Sequence, residues 1–181
     1  MGPIEVLWGV IALFWGFVGV VRGAPRELGV TTVISGMLFF LLRVQGHVEP
    51  IMTDVILNRL GAQVREETKN LILVSFFLGS FFLVLLASYA GETLVFPGRP
   101  PSGPVGLFVN FFVGLVNGLL VVTTAWYFLD KYGYPLPDWM LNPEEFTPFA
   151  MAIKDHLPQR WVPDEAFAAF ALGLVILRVR R

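Results

Sequence analysis

The residues able to do chemistry are few. The chain has no cysteine, which excludes a thiolate zinc site, an iron–sulfur cluster, a disulfide framework and a cysteine nucleophile. Its two histidines are His47, in a mixed polar segment, and His156, in a Pro-rich tail. No serine pairs with either one as a triad requires. Neither joins carboxylates at a recognisable metal-ligand spacing. Lys154, Asp155 and His156 read as a solvated helix face, and there is no glycine-rich phosphate loop. The expectation is a chain that is not an enzyme, with no metal and no cofactor. His47 as an axial ligand to a haem or pigment is the alternative in this class.

Two polar patterns carry more. In the first, Gly106, Asn110, Gly114 and Gly118 follow one another at intervals of four, with Asn117 on nearly the same face. Lipid tails cannot drive helices together by the hydrophobic effect. Small residues let backbones approach, and Asn can bond across the contact. The stripe reads as a packing face, within the chain or between copies. Alternatively, Asn110 and Asn117 line a polar path. The second pattern is the turn Val21-Arg22-Gly23-Ala24-Pro25-Arg26-Glu27-Leu28 between two apolar runs. Arg22 and Arg26 can meet lipid phosphate there, and Glu27 can pair with either arginine at a helix start. This is a topology and anchoring turn, or else a docking point for a partner's acidic group or a gating pair.

The elements that position these residues follow from composition. Hydrophobic residues make up 55% of the 181 and charged residues 15%, against roughly 45–50% and about 25% in soluble domains. Mean hydropathy is +0.68. These values exclude a disordered chain, a nucleic-acid binder and an ordinary soluble enzyme. The net charge of -1 gives no long-range steering of a charged partner.

A span needs about 20 helical residues. The expected fold is an all-α bundle of four transmembrane helices over residues 3–21, 25–42, 71–90 and 105–129, forming a domain of residues 1–130. The first is read as a retained helix, because its start lacks Lys and Arg and no small-residue cleavage site follows. An amphipathic helix over 50–69, opened by Glu49-Pro50, is expected to lie along the membrane or on the bundle end. Each span also offers small residues: Gly9, Ala12, Gly16, Gly19 and Gly23 with the first, Thr31, Thr32, Ser35 and Gly36 in the second, Ser75, Gly79, Ser80 and Ser88 in the third. Trp126, Tyr127 and Phe128 read as an aromatic belt at an interface. No ionisable residue lies in the middle of a span, which disfavours a proton relay or an ion-coupled carrier.

Residues 131–181 form a Pro-rich tail. Thr147-Pro148 opens a short helix with Phe149, Ile153 and Leu157 as its apolar face. An apolar helix over 163–179 closes the chain, about 25 Å long at ~1.5 Å per residue. It crosses, lies at the boundary or packs on the bundle. With four crossings, Lys and Arg divide ten against three and both ends face the cytoplasm; with five, they divide seven against six.

The segment Arg22-Gly23-Ala24-Pro25-Arg26-Glu27-Leu28 resembles the Arg-Gly-x-x-Arg-Glu-Leu turn of the colicin V production protein (CvpA) family. Gly114-Leu-Val-Asn-Gly118-Leu-Leu is similar to that family's glycine-rich late helix. The likeness covers residues 3–130. Ala24-Pro25 replaces the usual bulky apolar pair, and the tail has no counterpart. The resemblance implies a multi-pass protein of the bacterial inner membrane, tied to colicin V export and envelope functions. It implies no enzyme activity and no catalytic residue.

The sequence therefore predicts a scaffold or accessory component in transport, secretion or envelope maintenance. Its partners would be the lipid bilayer, other membrane proteins or copies of itself, with no nucleic acid and no identifiable small-molecule substrate. The alternatives are an oligomeric channel or transporter component, and a small subunit of a larger energy-converting or pigment-bearing complex.

Overall fold

The computed structural model describes residues 4–60, 66–91, 94–98, 102–137 and 141–180. About 85% of the chain is helical, with no strand among the described residues. The helices are α1 (Ile4–Arg22), α2 (Ala24–Leu60), α3 (Glu66–Ala90), α4 (Pro104–Lys131), α5 (Pro148–Asp155), α6 (Pro158–Trp161) and α7 (Asp164–Val179). The first four are long and apolar enough to cross a membrane. Phe14, Phe17, Leu83, Leu86, Phe108 and Phe112 point outward from them. A water-soluble monomer rarely exposes so continuous an apolar belt, so the architecture is that of a helical membrane protein.

α1 and α4 pack most extensively and run antiparallel. Gly19 lies against Gly114, and Gly118 against Ala12 and Trp15. A Cβ on Gly114 would collide with the Trp15 carbonyl, and one on Gly118 would stand 2.7 Å from the Ala12 carbonyl. The two backbones touch because glycine removes the side chains between them. Gly16 seats the Phe111 ring, whereas Gly9 faces outward with open space around it.

α3 uses a different device. Leu73, Phe77, Phe81 and Leu85 recur once per turn and are all buried, and Phe77 stacks on Phe128 with centroids 5.1 Å apart. Ser75 and Gly79 are exposed. Of the small residues expected on α3, Ser88 is buried and Ser80 half-buried, so the packing face is built mainly from large side chains. Large side chains fill the space there.

Three expectations change. The separate helix over 50–69 is instead the end of α2, which continues through Pro50. Residues 61–65 lie outside the described residues, and 66–69 open α3. Proline inside a helix costs about 3 kcal/mol, but side chains pin this stretch on both sides of it. Glu49 accepts from Lys131 at 2.9 Å, Gln45 donates to Tyr127 at 3.3 Å, and the Thr53 hydroxyl donates to the Glu49 carbonyl at 2.8 Å.

Second, Trp126 and Phe128 are core residues, not an interfacial belt. The tail folds back over the end of α4, and the Trp126 indole N–H donates to the Tyr134 hydroxyl at 2.9 Å. Burial pushes the Tyr134 phenol up to about 12, against a smaller lowering by Trp126. Third, α5 is capped by Thr147, whose Oγ1 accepts from the Ala150 N–H at 3.1 Å, but Phe149 points outward. Ala150 and Leu157 are the buried residues there.

α7 stands against α2. At its start Asp164 and Glu165 face Arg43, and at its end Arg178 donates to the Val95 carbonyl at 3.2 Å. Val95 adjoins Phe96, whose N–H donates to Pro25 at 3.0 Å. The 16 residues of α7 cover about 24 Å at ~1.5 Å per residue. The helix thus runs alongside the apolar part of α2 from one end to the other.

Candidate functional site

The charged turn is the most completely bonded polar cluster in the bundle. Gly23 adopts φ 84°, a left-handed conformation that costs glycine little. It ends α1 at Arg22 and starts α2 at Ala24. The first amide of a helix has no partner of its own. Here the Ala24 N–H donates to Asn110 Oδ1 at 2.8 Å, a cap supplied by another helix.

One turn further, Glu27 is 0% exposed. Arg22 Nε donates to its Oε1 at 2.9 Å. Its Oε2 accepts from the Tyr89 hydroxyl at 2.9 Å and from Asn117 Nδ2 at 2.8 Å. The same Asn117 amide lies 3.0 Å from the Glu27 backbone carbonyl. Asn117 Oδ1 in turn accepts from the Thr31 hydroxyl at 2.7 Å. Arg22 also donates to the Tyr89 carbonyl at 2.9 Å, with its guanidinium 4.6 Å from the centre of the Tyr89 ring.

Arg22 comes from α1, Glu27 and Thr31 from α2, Tyr89 from α3 and Asn117 from α4, so one carboxylate ties all four spans. Desolvating a charge costs several kcal/mol unless it is paired and its remaining lone pairs are bonded. Both conditions are met at Glu27, and the positive end of α2 adds to them.

The residues expected to matter separate into three groups. Arg22, Gly23, Glu27, Asn110 and Asn117 meet in this cluster. Gly114 and Gly118 lie along the α1 crossing below it, and Gly106 is buried in the first turn of α4. Arg26 is exposed, beside a recess of about 10 Å³ that Arg22 and Val95 also line.

Glu27 lies in the first turn of α2 and not in the middle of that span, yet the fold buries it. Glu27 is inside the bundle, bonded to a residue halfway along the 28-residue α4. α4 rises past the turn and encloses it. Tyr89 was not legible as part of the site from spacing alone. Its signal is topological: α1 and α3 run in the same sense, so the end of α3 lies level with the end of α1.

His47 is exposed on α2, and His156 Nδ1 lies 2.8 Å from the Ala152 carbonyl. Among the described residues no group of three or more His, Asp or Glu could hold a metal ion. Lys154 faces Asp130 at 3.7 Å.

Fold and site together define an all-α membrane bundle locked by a buried Arg–Glu turn. No family model, curated protein or solved structure matches the chain.

Proposed function

We propose that the protein is a non-enzymatic, CvpA-like component of a bacterial inner membrane, acting as a scaffold or accessory part in transport, secretion or envelope maintenance. The observation supporting this reading is the burial of Glu27 and its bonding to three other helices. Arg22 occupies one carboxylate oxygen, and Tyr89 and Asn117 occupy the other. A proton carrier, nucleophile or general base must face a substrate with a lone pair, whereas Glu27 is 0% exposed and three of its roughly four lone-pair sites are committed to holding helices.

The same bonds weigh against a channel between copies lined by Asn110 and Asn117. Asn110 caps α2, and Asn117 spends its amide on Glu27 and Thr31. The test is purification in mild detergent, with mass spectrometry of whatever accompanies the protein, followed by flux measurements in proteoliposomes. The reading expects stoichiometric membrane partners or a homo-oligomer, and no flux under any gradient. A solitary protein that conducts would overturn it.

A further inference from the structure

At the opposite end from the charged turn, α2, α4 and the α6–α7 junction enclose a polar groove. Two adjoining hollows of about 600 and 440 Å³ share Tyr127, Lys131 and Gln159. The informative residue is Gln159, only 6% exposed. Its Nε2 donates to Thr123 Oγ1 at 3.1 Å and Thr124 Oγ1 at 3.2 Å. Each threonine hydroxyl has one proton. Thr123 commits its own to the Leu119 carbonyl at 2.8 Å, and Thr124 to the Leu120 carbonyl at 2.6 Å.

The side facing them must therefore be the amide NH₂, and Gln159 Oε1 is turned the other way. It is buried and has no partner among the described residues. Gln45 stands on the opposite wall, where the Tyr127 hydroxyl it meets can donate as well as accept. Its Nε2 donates to Tyr127, and its buried Oε1 is likewise unpartnered. A buried acceptor left unmade costs about 1–3 kcal/mol, so the Gln159 oxygen calls for a donor, with the Gln45 amide beside it.

We propose that this groove binds the headgroup of a phospholipid that carries a primary ammonium beside its phosphate. An ammonium has three N–H donors and no acceptor; the Asp164 carboxylate lines the groove, and Gln45 Oε1 and Gln159 Oε1 lie just beneath its wall, where a small turn of each amide presents them. Arg43, Lys131 and His47 line the same groove and receive the phosphate. Arg43 is 64% exposed and holds Asp164 and Glu165 only at 3.4 and 3.2 Å, so it can turn toward an anion. The source is lipid because of where the groove lies. Arg43 is the first charge after the apolar stretch of α2 that begins at Leu28, and exposed Phe40 lies one turn deeper on the same face. This inference needs only the membrane architecture and not the CvpA-like reading.

The test is native mass spectrometry of the full chain, titrated with dioleoyl phosphatidylethanolamine, phosphatidylcholine or phosphatidylglycerol, and separately with free phosphoethanolamine. The proposal expects phosphatidylethanolamine to bind about tenfold more tightly than phosphatidylcholine, which has the phosphate but no N–H donors. Gln159→Leu should bring the two to parity. Gln45→Leu should do the same while leaving the Thr123–Thr124 contact intact, with thermal unfolding as the check on folding. Equal binding of all three lipids, or unchanged preference in a folded Gln45→Leu variant, overturns the site. Phosphatidylglycerol matching phosphatidylethanolamine overturns the ammonium. Free phosphoethanolamine binding as tightly as the lipid overturns the lipid source.

Discussion

The two ends of the bundle use the same ion pair in opposite surroundings. At the turn end, Arg22 meets a Glu27 carboxylate that is wholly buried and also bonded to Tyr89 and Asn117. At the tail end, Arg43 meets Asp164 and Glu165 at longer distances, and Lys131 meets Glu49 with both side chains partly exposed. An exposed pair contributes about 0–1 kcal/mol, because water and salt compete for both charges. Breaking a buried pair by removing one partner costs about 3–5 kcal/mol, since a charge is left without compensation. The turn end is therefore a lock, while at the tail end the Arg43 and Lys131 pairs remain free to exchange partners and Asp130, 13% exposed, is held between Arg160 and Lys154. That contrast puts fixed geometry at one end of the bundle and exchangeable charges at the other.

α7 connects the two ends, and the most decisive break of the comparison is qualitative. The chain has no native cysteine, so single cysteines label without background. Asp164→Cys and Arg180→Cys should react with a membrane-impermeant maleimide from opposite sides. Labelling of both from one side would mean that α7 does not cross.

Next in size is Glu27→Leu. It strands Arg22 and removes an acceptor from Tyr89 and Asn117, and it should lower stability in detergent by about 3–5 kcal/mol, read from the denaturant midpoint. A loss under 1 kcal/mol would place the lock elsewhere. Gly114→Leu forces α1 off α4, at a cost of about 1–3 kcal/mol by overpacking. Trp fluorescence during unfolding checks it, because Trp8 and Trp126 lie 6.2 Å apart across this crossing. Arg43→Ala should change stability by less than about 1 kcal/mol and lose even that effect at high salt. A larger loss would make the tail end a second lock.

Much of this was legible in the sequence. Apolar length gave four helices, and Gly114 with Gly118 marked a close approach. The residues Arg22, Gly23 and Glu27 declared a charged turn. What sequence could not give was distance across the bundle. Glu27 finds Asn117 and Tyr89, which are 90 and 62 positions away, because α3 and α4 run past the turn, and no local spacing encodes that.

Pro50 misled for a related reason. Local propensity breaks a helix there, but contacts from α4 at Gln45 and Glu49 hold the segment helical through it. Trp126 and Phe128 looked interfacial because their burial depends on a tail that returns from far along the chain. The orphan Gln159 oxygen was invisible for the same reason. Its significance rests on two threonines in α4 whose protons are already spent.

The most direct test of the central claim is a double-mutant cycle on Arg22→Leu and Glu27→Leu, measured by equilibrium unfolding in detergent. If the turn is a buried, mutually dependent pair, each single change is costly and the double change recovers much of the loss, with a coupling of about 2 kcal/mol or more. Single effects that simply add within about 0.5 kcal/mol would contradict it, because the two charges would then not be compensating each other inside the bundle.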